Sequence, residues 1–468
     1  MDLLACVSDN ISITLQQHKT KPQSPQPEHH QWFKPWLNAK GHAAKALVEA
    51  TIKLVEDNEK CTGARIRARR PADQALHLRR VEAIVCNLAH AVLLPPPTGR
   101  IAVQLGHGRK GRSRYDSPIM GKPLSPLISG MWAAGFLDMR ILPVMRGEVS
   151  SMAPTTWFAS KVAEFGIQLS DFGRDDEEEC IVLTRNIRGR NGSLQRDRID
   201  YADNVSTRAD REAVRFLNTF LADANITFID DGLEPRIDPF DRTMKRRYVI
   251  REGQGARFDQ SGRLYGGFWQ NLKKGRRRNI RIGGERVGVL DYGSMYTRLA
   301  YADVGAVPPE GDLYAIPGLE GYRSGVKLAM NIFLSDERAR RRSWPKEMGV
   351  GVGDDRAAYE DPYSKAAGFD GRLPEGWTVK RLKDAVLKVH PPLKKAWGQK
   401  LGLTLMHQES EILLAILLEL ASRGIPALGL HDGLITAQSH MEIAREVMER
   451  QGHALTGILL PVSSERLN

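Results

Sequence analysis

Apolar positions recur at helical spacing over several stretches of the chain. They fall at Ala43, Leu47, Ala50, Thr51 and Leu54, then at Leu78, Val81, Ile84, Val85 and Leu88. This predicts two or more helices before the proline run at 95–97. Between 124 and 165 the pattern changes: Leu124 to Ala134 reads as a helix, Gly135 as its C-cap, Phe136 to Ser151 as a hairpin, and Thr155 to Phe165 as a second helix. That order suits a winged-helix module or a small α+β connector. Another amphipathic helix carries Ala213, Val214, Phe216, Leu217, Phe220 and Leu221. Ile412 to Leu420 is apolar all round, which predicts a helix buried on nearly every side. Two shorter apolar runs read as strands, Val287 to Leu290 and the pair flanking His431-Asp432-Gly433.

A length of 468 residues favours about three units, with ample core to bury. Residues up to roughly 37 are polar and proline-rich, with the composition of a flexible arm. A helical region over 38–98, a winged-helix-like domain over 99–170 and a linker with a helix over 171–255 precede the segment with chemistry, 256–468. Within the linker, 175–179 is acidic and 185–190 basic.

Lys and Arg outnumber Asp and Glu by 68 to 56, a formal charge of +12, which favours a polyanionic partner. The loop ArgLysGlyArgSerArgTyr at 109–115 adds candidate phosphate contacts. Cys6, Cys61, Cys86 and Cys180 are scattered, so neither a zinc site nor a disulfide framework is indicated. The N-terminal residues lack a basic region and a long apolar stretch, and the most apolar segment is interrupted by Glu419. A cytoplasmic, non-membrane protein is expected, its oligomeric state open.

Candidate chemistry concentrates near two aspartates, each at the end of an apolar strand-like run. Asp291 closes ValGlyValLeuAsp, and Asp432 sits in LeuHisAspGlyLeu. Alone, the first could be a helix N-cap and the second a plain Asp-Gly turn. Between them Arg323, Lys327 and Asn331 recur at i, i+4 and i+8, so one helix face presents two cations and an amide. The opposite face, with Val326, Leu328, Met330 and Phe333, packs inward. Paired carboxylates able to hold divalent metals, with cations for a triphosphate, are what in-line nucleotidyl transfer requires. Upstream, SerGlyArgLeuTyrGlyGlyPheTrpGlnAsnLeu at 261–272 combines close-approach glycines with Arg263, Tyr265 and Asn271, and a basic run at 273–278 leads into the Asp291 strand.

The ordered set resembles the single-subunit polymerases, covering Pol I-type family A DNA polymerases and T7-type RNA polymerases. SerGlyArgLeu followed by AsnLeu is similar to the template-contacting motif. AspTyrGlySerMetTyrThrArg is similar to motif A, Arg323 with Lys327 to motif B, and LeuHisAspGlyLeuIle to motif C. MetHisGlnGluSerGluIleLeu resembles the segment preceding motif C. The resemblance covers about 256–450 and implies an α+β fold with a right-hand palm and fingers, palm and fingers only.

It implies Asp291 and Asp432 as catalytic residues and ligands of two Mg2+ ions, with Mn2+ able to substitute. Arg323 and Lys327 would bind the β and γ phosphates, and Lys327 would protonate the leaving pyrophosphate. Tyr296 and Asn331 would lie at the nucleotide, and Arg263, Tyr265, Asn271, Arg298, His407 and His431 at nucleic acid. Tyr296, five residues after Asp291, occupies the position that crowds a ribose 2′-hydroxyl, which favours deoxynucleotides. The implied partners are a DNA primer-template, or RNA, and nucleoside triphosphates.

Two features depart from the pattern. The later fingers aromatic is absent, Asn331 and Ser335 standing at the corresponding spacings, and Gly433 replaces the family A glutamate. Neither a full thumb nor a 3′–5′ exonuclease is recognisable, and no phosphate-binding loop of a helicase appears. The expected function is therefore a small DNA polymerase lacking exonuclease, of the kind a plasmid, phage or other mobile element carries. The alternatives are an RNA polymerase or primase of the same fold, and a non-catalytic replication factor with a degenerate palm.

Overall fold

The computed structural model describes residues 31–105, 113–141, 149–188, 194–251, 253–336, 344 and 372–467. Most of the expected flexible arm, the first four residues of the 109–115 basic loop, and Gly189 and Arg190 of the 185–190 run lie outside the described residues. The chain divides into two compact units of mixed helix and sheet, an α+β protein. One comprises Met1–Gly108 with Pro118–Gly173, the other Arg109–Ser117 with Arg174–Asn468.

In the first unit, β1 (Gln31–Trp32) and β2 (Leu37–Ala39) lead into α1 (His42–Cys61) and α2 (Pro71–Leu93). In α2 the predicted Val81, Ile84, Val85 and Leu88 are buried; in α1 Leu47 and Thr51 are buried as predicted, but Leu54 is exposed and the packed face runs through Ala44, Val48 and Val55 instead. Next come β3 (Ile101–Ala102), α3 (Leu124–Ala133), β4 (Leu137–Arg140), β5 (Ser151–Pro154), α4 (Thr156–Glu164) and β6 (Phe172–Arg174). The helix, hairpin, helix order expected of 124–165 is present. Gly135 takes the left-handed conformation after α3, and Thr155 caps α4 by accepting from the Phe158 amide at 3.2 Å. A sheet runs β1-β3-β5-β4, and β2 pairs with β6.

The second unit opens with β7 (Ile181–Arg188), β8 (Leu194–Arg198), α5 (Val205–Asp223), β9 (Ile226–Phe228), β10 (Met244–Ile250) and β11 (Ser261–Gly266). A four-stranded sheet, β11-β10-β7-β8, takes both of its central strands from 171–255, the segment expected to be a linker and helix. Several of that segment's charges lie within the strands, among them Lys245, Arg246 and Arg247 of β10, while Ile181, Leu183, Met244, Tyr248 and Ile250 are core. In α5, Val214, Leu217 and Leu221 are buried, whereas Phe216 is exposed.

The remaining elements are β12 (Ile280–Ile282), β13 (Glu285–Tyr292), α6 (Met295–Asp303), α7 (Arg323–Ser335), α8 (Val379–Val389), α9 (Gly402–Ser422), β14 (Ala427–Leu430), β15 (Gly433–Ala437), α10 (Met441–Thr456) and β16 (Val462–Arg466). A second sheet runs β14-β15-β13-β12-β9, and β16 also pairs with β13. Helix α9 packs against α5, α6, α7, α10, β11 and β14. None of its residues from Glu411 to Leu420 is exposed, as its apolar circumference predicts.

A buried charge cluster joins α5, β10 and α9. Arg246, inaccessible to solvent, donates to Asp210 at 2.5 Å, to Glu411 and to the Gly262 carbonyl at 3.0 Å. Tyr248 donates to the other Asp210 oxygen at 2.6 Å. Removing one partner of a buried ion pair leaves the other uncompensated, at a cost of about 3–5 kcal/mol. Arg246→Ala is therefore expected to destabilise the protein by about that amount, read as a lower midpoint in urea unfolding. A loss below about 1 kcal/mol would show that solvent reaches the cluster freely.

Candidate active site

Strand β13 carries Asp291 at its penultimate position, and the β14–β15 turn, His431-Asp432, lies beside it. The register pairs Asp291 with Gly433 and Leu290 with Leu434. The ladder continues into the turn, where the Tyr292 amide donates to the Asp432 carbonyl at 3.0 Å. His431 takes a left-handed backbone, φ 47°, which lets two residues reverse the chain. At Gly433 a Cβ would stand 2.3 Å from the Leu290 carbonyl oxygen and 2.8 Å from an Asp291 carboxylate oxygen. Glycine is thus required for the strands to approach where the carboxylates meet.

Asp291 is reached by solvent yet surrounded by enough protein to feel desolvation. Desolvation first, then the neighbouring Asp432 charge and a carboxyl–carboxyl hydrogen bond, raise its carboxyl to about 7, against the pull of Lys327. Asp432 is half-buried. Lys327 lies on the exposed face of α7, near enough to act on Asp291, while Val326, Ala329, Met330 and Phe333 hold the opposite face in the core. Among the described residues no group of three or more His, Cys, Asp or Glu is arranged to hold a metal. Two adjacent carboxylates nonetheless suit Mg2+, which takes one or two protein oxygens and fills its shell with water and substrate phosphate.

A third carboxylate, which the sequence reading passed over as a site residue, lies beneath this pair. Glu409 of α9 is buried, and Arg263 of β11 donates to it at 2.6 Å. Arg263 also donates to the Tyr296 hydroxyl, and that hydroxyl lies 3.5 Å from Glu409. Burial pushes the Glu409 carboxyl up to about 7 against the pull of Arg263, with Asp432 adding to the rise. Burial and Glu409 hold the Tyr296 phenol well above its ordinary value, so it stays protonated. The ring orientation of Tyr296 is thereby fixed from behind.

Other expected residues are near this group. Tyr265 packs edge-on against His431, ring centroids 5.5 Å apart, with Arg247 over its face at 4.8 Å. Burial, then Arg263 and Arg277, depress the His431 imidazole to about 3. His407 is also lowered, chiefly by burial, and its Nδ1 stands 3.7 Å from Glu411. Both rings are therefore neutral at physiological pH. Gly262, φ 75°, passes so close to Ser410, Tyr248 and His407 that a Cβ there would sit about 3 Å from each.

Among the remaining expected residues, several arginines are already committed to protein partners. Arg298 is buried, donating to the Gly293 carbonyl at 3.0 Å and the Gly311 carbonyl at 3.4 Å, so it fastens a loop and does not face a ligand. Arg276, within the 273–278 basic run, is likewise buried in a two-pronged pair with Asp231. Arg114 of the 109–115 loop pairs with Asp203 at 3.0 Å and covers the Tyr201 ring. Asn271 is exposed at the end of a short 3₁₀ turn. Arg323 is exposed and held by Asp312 at 2.7 and 3.0 Å. The Asn331 Oδ1 is shielded from solvent without a partner.

The raised carboxyl has a thermodynamic consequence. The folded state keeps a proton on Asp291 up to about pH 7, whereas an unfolded aspartate loses it near 3.8. Between those values the native state binds more protons, so the pair lowers stability progressively as pH rises through 7. Asp432→Asn removes the repulsion and is expected to raise the melting temperature at pH 8 by about 2–4 °C for each ~1 kcal/mol relieved, with a smaller gain at pH 5. Mg2+ is expected to stabilise the native protein at pH 8 more than it stabilises this variant. Equal melting temperatures for variant and native protein at both pH values would mean that the carboxylates do not interact.

No protein-family model matches the chain, and no curated protein matches it. Among solved structures it matches the polymerase domain of Pol1 from M. smegmatis, in complex with DNA primer-template and dNTP, at 10% identity and a TM-score of 0.23. That match covers 92% of this chain and 66% of the other. Likeness at that level carries no argument, and the functional reading rests on the site itself. Among the described residues, no helix is long and apolar enough to cross a membrane.

Proposed function

We propose that this protein is a template-directed nucleotidyltransferase, a small DNA polymerase extending a primer on a template. The observation that carries the reading is the meeting of Asp291 with Asp432 across β13 and β15, with Lys327 of α7 acting on the same carboxylate. Like charges at close quarters are costly without a cation between them. Asp291 and Asp432 would hold two Mg2+ ions, which when bound supply Lewis-acid stabilisation of phosphoryl oxygens. Mn2+ can substitute.

In this reading the chain's residues position and neutralise the reactants. The primer 3′-hydroxyl oxygen attacks the α-phosphate and forms a new P–O bond as its proton passes to water, and the bond from the α-phosphorus to the α–β bridging oxygen breaks to release pyrophosphate. Lys327 meets the departing phosphates and donates a proton to them. Arg323 binds the β and γ phosphates by exchanging its Asp312 partner for substrate oxygens, one two-pronged acceptor for another. Asn331, one turn beyond Lys327, has its amide oxygen shielded from solvent and would reach the incoming nucleotide only after a change of side-chain rotamer.

Arg263, Tyr265, His407 and His431 line the nucleic-acid side. The two histidines act as neutral hydrogen-bonding groups suited to base edges, because burial keeps them uncharged. The α3–β4–β5–α4 segment of the first unit is a second candidate grip on nucleic acid.

The test is extension of a labelled primer on a DNA template with Mg2+, dNTPs and NTPs being supplied separately. Native protein is expected to extend with dNTPs. Asp432→Ala is expected to lower the rate at least about 100-fold, the scale of losing one electrostatic stabiliser of a transition state. Tight DNA binding with no extension from either nucleotide set would overturn the reading in favour of a non-catalytic factor.

Sugar choice follows from Tyr296. Its ring, held by Arg263 and Glu409, would crowd a 2′-hydroxyl. Tyr296→Ala is expected to raise NTP use relative to dNTP use by about 10- to 100-fold, the range for filling or emptying a small pocket volume. Tyr296→Phe, which keeps the ring, is expected to preserve the preference, and an unchanged preference in Tyr296→Ala would assign selectivity elsewhere.

A further inference from the structure

A cavity of about 550 Å³ lies along α8, away from the two aspartates in sequence, lined by Pro317, Gly318, Trp377, Thr378, Lys380, Arg381, Asp384, Ala385, Lys388 and Val389. Its lining combines three cations and one carboxylate with apolar and aromatic side chains. Lys380, Asp384 and Lys388 follow at i, i+4 and i+8, which puts them on one helical face with two cations to one anion. All three are exposed, and neither lysine forms an ion pair among the described residues. Arg381, also exposed, lies over the half-buried Trp377 indole, 4.4 Å from a ring centroid, so a second cation–aromatic surface borders the same space. The buried face of α8, with Val379, Leu382 and Val386, fixes that wall to the core.

This combination discriminates among ligands. An apolar molecule would leave the two lysines unused. A lone inorganic anion would leave the indole unused and could reach only part of the wall, because Lys380 and Lys388 are separated by about 12 Å at 1.5 Å rise per residue. A chain of phosphates carrying flat rings uses every element, with stacking on the aromatic and guanidinium surfaces and charge along the helix.

We infer that the α8 cavity is a binding site for single-stranded nucleic acid, with Lys380 and Lys388 on successive stretches of backbone and Trp377 with Arg381 as the stacking surface. The inference rests on the polymerase reading only in taking the polyanion to be a nucleic-acid strand, and its test involves no catalysis.

Affinity of the full chain for a fluorescent single-stranded oligonucleotide is measured by anisotropy across a salt series, without nucleotides or metal. Single-strand binding weakens with salt at a slope of about −0.7 for each phosphate neutralised. The double variant Lys380→Gln/Lys388→Gln is expected to bind about 5- to 30-fold more weakly and to lose about 1.4 from that slope. Lys394→Gln/Lys395→Gln removes the same charge from exposed positions off the cavity wall and is expected to change neither value. Unchanged affinity and slope in the first variant, or equal losses in both, would overturn the site. A mononucleotide competing as well as the oligonucleotide would also overturn it, since a single phosphate would then suffice. Loss of primer extension in the native protein, with the α8 result intact, would count against the polymerase reading alone.

Discussion

The contact on which the site depends is a backbone approach, Gly433 against the Leu290 carbonyl. A Cβ at that position would stand 2.3 Å from the carbonyl oxygen, so β15 can pair with β13 there only because glycine has no side chain. Pairing in that register brings Asp291 and the His431-Asp432 turn together, and the Tyr292 amide to Asp432 carbonyl bond extends the ladder past the strand end. The opposite edge of β13 is paired with β16 from Gly288 to Tyr292, so Asp291 belongs to a strand held on both sides. Cooperative main-chain pairing can hold two carboxylates at a distance they would not choose in water. A slip of one residue would send the Asp291 side chain to the other face of the sheet, and the strongly apolar residues on β13 and β15 oppose such a slip.

The rest of the unit answers the charge that this pairing concentrates. Helix α7 brings Lys327 to the solvent side, while from beneath α9 supplies Glu409, a further buried acid that would worsen the repulsion if it stood alone. Arg263 prevents that by donating to Glu409 and Tyr296 together, one guanidinium serving both groups. Arg246 acts similarly two residues along α9, joining Glu411 to Asp210 and the Gly262 carbonyl. Helix α9 is therefore an apolar rod whose acids are each matched by arginine: Glu409 and Glu411 from β11 and β10, Glu419 by Arg423 and Arg450. This is the arrangement that allows charged groups to remain buried.

The two aspartates were legible in sequence because each ends an apolar run with strand period and because a glycine follows Asp432 at once. The α7 face was legible for the same kind of reason, since i, i+4 and i+8 spacing survives folding. Glu409 was not. It sits 146 residues from Arg263 and 113 from Tyr296, and nothing local distinguishes it from Glu411 beside it. The strands of 171–255 were hidden because their flanking charges outnumber the alternating core positions. The exposure of Phe216 shows the opposite limit, an apolar residue adjoining a stripe it does not join.

The largest gap between sequence and structure concerns the basic charge. A surplus of 12 cations suggests a surface made for a polyanion, but several arginines that raised that expectation are internal fasteners. Arg242 donates to the carbonyls of Leu221, Ala224 and Ile226 at the end of α5. Arg276 joins Asp231 to the carbonyls of Leu233 and Pro235, and Arg298 holds those of Gly293 and Gly311. A guanidinium carries five donors in a fixed fork, so it can bind several carbonyls at once, which lysine's single ammonium does less well. Net charge therefore overstates the field available to a ligand wherever the surplus is arginine in loops that need closing. The cations that remain at the surface without such duties include Lys380 and Lys388 of α8. Where they line a cavity beside an aromatic ring, as on α8, their placement says more about a polyanionic partner than the sum of charges along the chain.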